Sequence, residues 1–171
     1  MTTSASRRTV KKQKRTAKSR FDLDDLKVTI KKTKWKCSYI AAVTYKGKRL
    51  KRFDSACRVI YRYEDVVIKI ELDETEQTTG EVNFYKKLIK KKVRYDLRYF
   101  PKLIAYDISR GIVVQEYIPL KKGKRTLKQR AIIDKIIHKY KIDSDVDAEE
   151  DFNWGIDSRT DLPVIYDLGF A

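Results

Sequence analysis

Residues 58–70 read RVIYRYEDVVIKI, two apolar runs, Arg58–Tyr63 and Val66–Ile70, joined by a tight turn at Glu64-Asp65. Runs this short, rich in β-branched and aromatic residues and bounded by turn formers, read as strands. The second carries Lys69 with apolar neighbours on both sides. A lysine in a buried strand is costly unless it meets negative charge. A fold that accepts this segment must bring an anion to the middle of a sheet. The bland alternative is a lysine that snorkels from a strand edge.

The flanking pattern extends the sheet. In LKVTIKKTKWKCSYIAAVTY, residues 26–45, β-branched and aromatic residues alternate with lysine, and YKGKRLKRF places a hairpin around Gly47. The N-terminal half is thus expected to hold an antiparallel sheet of about five strands. TEQTTGEVNFYKKLIKKK reads as a helix with Val82, Tyr85, Leu88 and Ile89 on one stripe, Lys86, Lys87, Lys90 and Lys91 outward, and Thr78 or Thr79 as cap. FPKLIAYDISRGIVVQEYI gives two strands meeting at Ser109-Arg110-Gly111. LKQRAIIDKIIHKYKI gives a second helix, with Leu127, Ala131, Ile132, Ile136 and Ile137 on its buried side and His138 as a packing residue. A loop over 143–152 and a short β-hairpin follow. Tyr61, Tyr63, Tyr95 and Tyr99 read as core or interface groups rather than base-stacking platforms.

Charge bounds the partners. The net charge is +16, and residues 1–20 hold eight Lys or Arg and no acid, so residues 1–22 read as a basic flexible arm without the apolar core of a secretory signal. Residues 142–171 reverse the sign, with nine acids opposed only by Arg159. The arm and the Lys-rich faces at 86–92 and 121–128 make nucleic acid or an acidic protein a candidate partner. No apolar run approaches the roughly 20 residues that span a bilayer, so no membrane association is expected. Cys37 and Cys57 lack metal-type spacing and read as free thiols in a reducing, cytoplasmic compartment.

The order of these elements, with Lys69 in VVIKI, Glu81 twelve residues later, IVVQEYI at 112–118, and Asn153 and Asp167 at the ends of DFNWGIDSRTDLPVIYDLG, resembles the protein-kinase-like superfamily over about residues 50–171. The resemblance implies an α+β, protein-kinase-like fold: a five-stranded antiparallel N-lobe plus one helix over 23–117, and a minimal C-lobe of one helix and a β-hairpin over 118–171. It implies ATP and Mg²⁺ between them, with Lys69 orienting phosphates and Glu81 holding Lys69. Gln115 would border the adenine pocket, and the backbone of Glu116, Tyr117 and Ile118 would pair with the adenine edge. Asn153 and Asp167, the latter opening a DLG similar to the family's Asp-Phe-Gly, would be the metal ligands.

The chain departs from that pattern in three places. The glycine-rich loop is replaced by FDSACRVIY, where Ser55, Ala56 and Cys57 are small but are not glycine, so a looser phosphate cover is expected. The family places its catalytic Asp five residues before the metal-binding Asn, where this chain has Ala148. Asp147 through a one-residue bulge, Asp151, or no base at all are the alternatives. Only four residues follow Asp167, so the activation segment and peptide platform of typical relatives are expected to be missing. The shape is similar to short kinase-like proteins of bacterial viruses, whose setting would be the host cytoplasm. The resulting expectation is an ATP/Mg-dependent phosphotransferase acting on Ser or Thr of a protein or of itself. A partner or a second copy would complete the short lobe. A pseudokinase-like nucleotide-binding scaffold and a basic nucleic-acid-binding protein with a vestigial lobe are the other readings.

Overall fold

A computed structural model describes residues 21–32, 38–55, 58–72, 76–91, 93, 95–142 and 153–168. Strands β1 (Leu26–Lys32), β2 (Ser38–Tyr45) and β3 (Lys48–Arg49) form a three-stranded antiparallel sheet. Five more, β4 (Arg52–Ser55), β5 (Val59–Tyr63), β6 (Val66–Ile70), β7 (Leu103–Asp107) and β8 (Ile112–Glu116), make a second antiparallel sheet in the order β4-β5-β6-β8-β7. Helix α1 (Glu76–Lys90) is inserted between β6 and β7. Helix α2 (Leu127–Tyr140) follows, and β9 (Trp154–Ile156) and β10 (Pro163–Ile165) close as an antiparallel hairpin. The architecture is α+β. No helix among the described residues is long and apolar enough to cross a membrane.

The expected single N-terminal sheet is two sheets, for a packing reason. Tyr61, Ile68 and Val114 stand in register on one face of the larger sheet, as do Val59, Ile70 and Ile112. That face is too apolar to meet water. Leu26, Val43 and Tyr45 of the small sheet cover it in one continuous core. Phe21 stacks on Tyr45 with ring centroids 4.2 Å apart. Alternation sends the next residues, Val67, Lys69, Val113 and Gln115, to the opposite face, where α1 lies.

Both helices differ in detail from the sequence expectation. Thr78 and Thr79 lie inside α1 rather than capping it. The carboxylate of Glu71 does the capping, accepting from the backbone N–H groups of Gln77 at 3.2 Å and Thr78 at 2.9 Å. A side chain outside the helix thus satisfies donors that the first turn leaves open. The core stripe takes Phe84 and leaves Ile89 exposed. In α2, Ile133 and Ile136 are buried, whereas Leu127 is 85% exposed and Ala131 is also at the surface. His138 points outward beside Asp134, 3.3 Å away, instead of packing. Of the four tyrosines, Tyr61 and Tyr99 are buried, while Tyr95 is exposed under the guanidinium of Arg98.

A second core joins the inner side of α1 to α2 and the hairpin, through Phe84, Tyr85 and Leu88 against Ile133, Ile136, Trp154, Ile165 and Leu168. Asp96 adds a polar tie, accepting from Lys139 Nζ and Tyr140 Oη, each at 2.5 Å. At the β7–β8 turn, Gly111 has φ +62° and an added Cβ would lie 2.4 Å from the carbonyl oxygen of Glu71. The Glu71 N–H in turn bonds the Gly111 carbonyl at 2.9 Å. This close approach fixes the exit of β6 and, through the Glu71 cap, the start of α1. Gly111→Ala should therefore lower stability by more than the roughly 1–3 kcal/mol of a strained left-handed residue, read as a shift of the urea unfolding midpoint.

Candidate nucleotide site

Lys69, on central strand β6, is 3% exposed, and its ammonium is saturated. Nζ donates to Glu81 Oε1 at 3.0 Å, to the Tyr166 carbonyl at 2.9 Å and to Asp167 Oδ1 at 3.4 Å. An ammonium has three protons, so each has an acceptor. Glu81 reaches the sheet because it occupies the face of α1 opposite the lysines, and it is fully buried. Its Oε1 also accepts from Gln115 Nε2 at 2.6 Å. Gln115 Nε2 lies 3.1 Å from Tyr85 Oη as well, and that hydroxyl donates to the Pro101 carbonyl at 2.9 Å.

The fourth charged member is Arg58, which the sequence pattern marks as the start of a strand. It is 5% exposed. Its Nη1 donates to Glu81 Oε2, and its Nη2 donates to Asp167 Oδ1 at 2.6 Å. Glu81 and Asp167 thus each receive Lys69 and Arg58, in a cluster whose formal charges cancel. An unpaired buried ion costs several kcal/mol, so the four depend on one another. The signal was present in the sequence: Arg58 adjoins the apolar run VIY, just as Lys69 lies within VVIKI, and the same burial argument applies to both.

Burial alone would push the Glu81 carboxyl up; Lys69 and Arg58 outweigh it and hold the group below the usual carboxylate range. Burial lowers and the two carboxylates raise the Arg58 guanidinium, with a net rise. The Tyr85 phenol is driven well above its ordinary value by burial and by the charges of Glu81 and Asp167.

The hairpin brings Asn153 to Asp167. Trp154 pairs with Ile165, and the Asn153 carbonyl accepts from the N–H groups of Tyr166 at 3.0 Å and Asp167 at 3.3 Å. Asn153 holds this position with φ +59°, a left-handed conformation that asparagine tolerates. Trp154, Ile156, Val164 and Ile165 are all buried and anchor the two ends. The Asp167 side chain is 28% exposed, which makes it the accessible edge of the cluster.

The strand exit at Glu116–Ile118 is partly committed. The Glu116 N–H bonds the Lys102 carbonyl at 2.9 Å, and the Tyr117 N–H bonds the Asp65 carbonyl at 2.7 Å. Ile118 retains an N–H with no partner among the described residues. The Glu116 carboxylate pairs with Arg159 at 2.9 Å. Ser55 lies in β4 with its backbone paired to Val59. Ala56, Cys57, Asp147 and Asp151 lie outside the described residues, as do Cys37 and residues 1–20 of the basic arm.

Among the described residues, two hollows lie apart from this cluster. One, of about 550 Å³, is lined by Lys51, Arg52, Phe53, Arg62 and Glu64. The other, of about 460 Å³, runs past Tyr85, Phe100, Glu116 and Arg159. Neither takes in Lys69, Glu81 or Asp167, and neither combines buried cations with an accessible carboxylate. The ion cluster is the stronger candidate on chemistry. Comparison of the chain with protein-family models, curated proteins and solved structures gave no match.

Glu81→Gln removes the shared anion and leaves two buried cations, which should cost about 3–5 kcal/mol in urea unfolding at neutral pH. Because the folded value of Glu81 is depressed, its contribution is complete above the ordinary glutamate value of about 4.3 and is lost as pH falls through the folded value. Wild-type stability should drop as pH falls below about 4.3, and more steeply than that of the Gln variant.

Proposed function

We propose that this chain is a protein-kinase-like nucleotide-binding protein that transfers the γ-phosphoryl group of ATP to a hydroxyl group. The observation that carries the reading is Lys69. It projects from the central strand of a five-stranded antiparallel sheet and bonds at once to Glu81, on the helix inserted after that strand, and to Asp167, beyond the C-terminal hairpin. The first is the pairing the family resemblance implies, between residues 12 positions apart; the second brings the expected metal ligand, 98 positions away, to the same ammonium.

The donor set suits the ligand. Asp167 offers a partly exposed carboxylate, and Asn153, tied to it through the backbone, offers a carboxamide. Among the described residues no group of three or more His, Cys, Asp or Glu could form a closed protein cage for a metal. One carboxylate and one amide oxygen match a hard dication that keeps waters and shares phosphate oxygens. Bound Mg²⁺ would supply neutralisation of phosphate charge, with Asn153 and Asp167 as its protein ligands. Lys69 is positioned by Glu81 and releases its longest contact, to Asp167, to meet phosphate oxygen. Gln115 fixes Glu81 at the inner end of the cluster, and the Ile118 N–H is the donor available to the base.

In the transfer, a hydroxyl oxygen forms a bond to the γ-phosphorus as the bond to the β,γ-bridging oxygen breaks, and ADP leaves with that electron pair. The hydroxyl proton passes to a carboxylate, for which Asp147 is the choice and Asp151 the alternative. Positioning and electrostatics supply most of such a rate enhancement.

One observation favours a second reading, nucleotide binding without transfer: Asp167 Oδ1 already accepts from two cations. Two measurements separate the readings. ATP with Mg²⁺ at about 100 times its Kd should stabilise the wild-type chain by about 2.7 kcal/mol, and Lys69→Met should remove most of that shift. With γ-labelled ATP and the full chain as its own substrate or with an added protein substrate, label should be incorporated and lost in Asp167→Ala. Stabilisation without incorporation leaves the binding reading alone standing. Absence of any stabilisation rejects both.

A further inference from the structure

Lys69 and Arg58 meet the same two carboxylates, yet their remaining capacities differ. All three ammonium protons of Lys69 are engaged. A guanidinium carries five N–H donors in a planar fork, and those of Arg58 that described residues engage are one on each terminal nitrogen. Arg58 can therefore donate to additional oxygen atoms without giving up Glu81, whereas Lys69 cannot gain one without losing another.

Position adds to this. Arg58 is the residue that leads into β5, directly after the Ser55-Ala56-Cys57 stretch that carries no glycine. Its Nη2 lies on Asp167 Oδ1 at the one member of the cluster with appreciable exposure. A ligand that approaches Asp167 therefore comes upon the guanidinium. Phosphate oxygens match the planar fork of arginine better than the point charge of lysine.

We infer that Arg58 is the polyphosphate-gripping residue of this site, doing with its side chain what backbone amides do in a glycine-rich turn. The inference rests on the nucleotide-binding reading above and assigns the recognition of the β- and γ-phosphates within it. Glu81 is the positioning residue for Arg58 as well as for Lys69, which explains why one carboxylate holds two cations. When a nucleoside triphosphate binds, Arg58 keeps its contact to Glu81 and shares its free N–H groups, together with the one on Asp167, with phosphate oxygens.

The test is equilibrium binding of ATP, ADP, AMP and adenosine, with Mg²⁺, to the full chain, for wild type, Arg58→Gln and Arg58→Lys. Arg58→Gln should weaken ATP at least tenfold and leave adenosine within about twofold, with Arg58→Lys between. Parallel loss of ATP and adenosine would mean that Arg58 only supports the fold, and the assignment would fall. Unchanged or tighter ATP binding by Arg58→Gln would overturn it too, while leaving the nucleotide reading intact. No binding of any of the four by wild type would reject the nucleotide reading and this assignment together. Should Arg58→Gln not fold, the Arg58 Nε–H resonance of the wild-type chain decides. A shift with ATP and none with adenosine supports the grip, and no shift with ATP removes it.

Discussion

Glu81 is the point at which three parts of this protein are joined. Its two oxygens accept from Lys69 on the sheet, Arg58 at the entry to β5, and Gln115 on β8, and the same two cations continue to Asp167 beyond the hairpin. The helix that carries Glu81 is held at its start by Glu71, which Gly111 approaches closely. The β7–β8 turn, the helix and the ion cluster thus form one mechanical chain. Removing the central carboxylate would leave cations stranded in a low-dielectric interior, where their electrostatic cost is greatest.

The two cores divide the labour around that point. The small sheet and the outer face of the larger sheet make one apolar layer across β5, β6 and β8. The aromatic cluster of Phe84, Tyr85, Tyr99, Phe100 and Trp154 binds the helices to the hairpin. Between them lies the polar seam of Arg58, Lys69, Gln115 and Glu81, with Asp167 at its open edge. On the proposed reading, that seam is where a nucleotide's phosphates enter. Its charges are already balanced, so a ligand must exchange contacts rather than merely fill a vacancy. Arg58, with donors in reserve, makes that exchange easier than Lys69 alone would.

Much of the seam was legible in the residues. An isolated lysine in VVIKI demands an anion, Glu81 falls on the helix face opposite a run of lysines, and the hairpin residues that flank Asn153 and Asp167 are apolar in the right places. Each of these rests on a local period, which sequence displays. Arg58 carried the same burial signal beside VIY, but its partner was not legible, because 109 residues separate it from Asp167 and nothing local to either names the other. The Glu71 cap was hidden for a similar reason. Two threonines near the helix start offered a nearer solution, and only the path of the chain after β6 brings the glutamate to the open N–H groups.

The sequence by itself determined the strand and helix segments and the need for a counter-charge at Lys69, because periodicity and desolvation act residue by residue. Only the tertiary structure decided that the N-terminal strands form a separate covering sheet and that one glutamate serves two cations. It also decided that arginine completes the cluster. Those outcomes depend on which apolar faces meet and on which charged groups the meeting then leaves within hydrogen-bond reach.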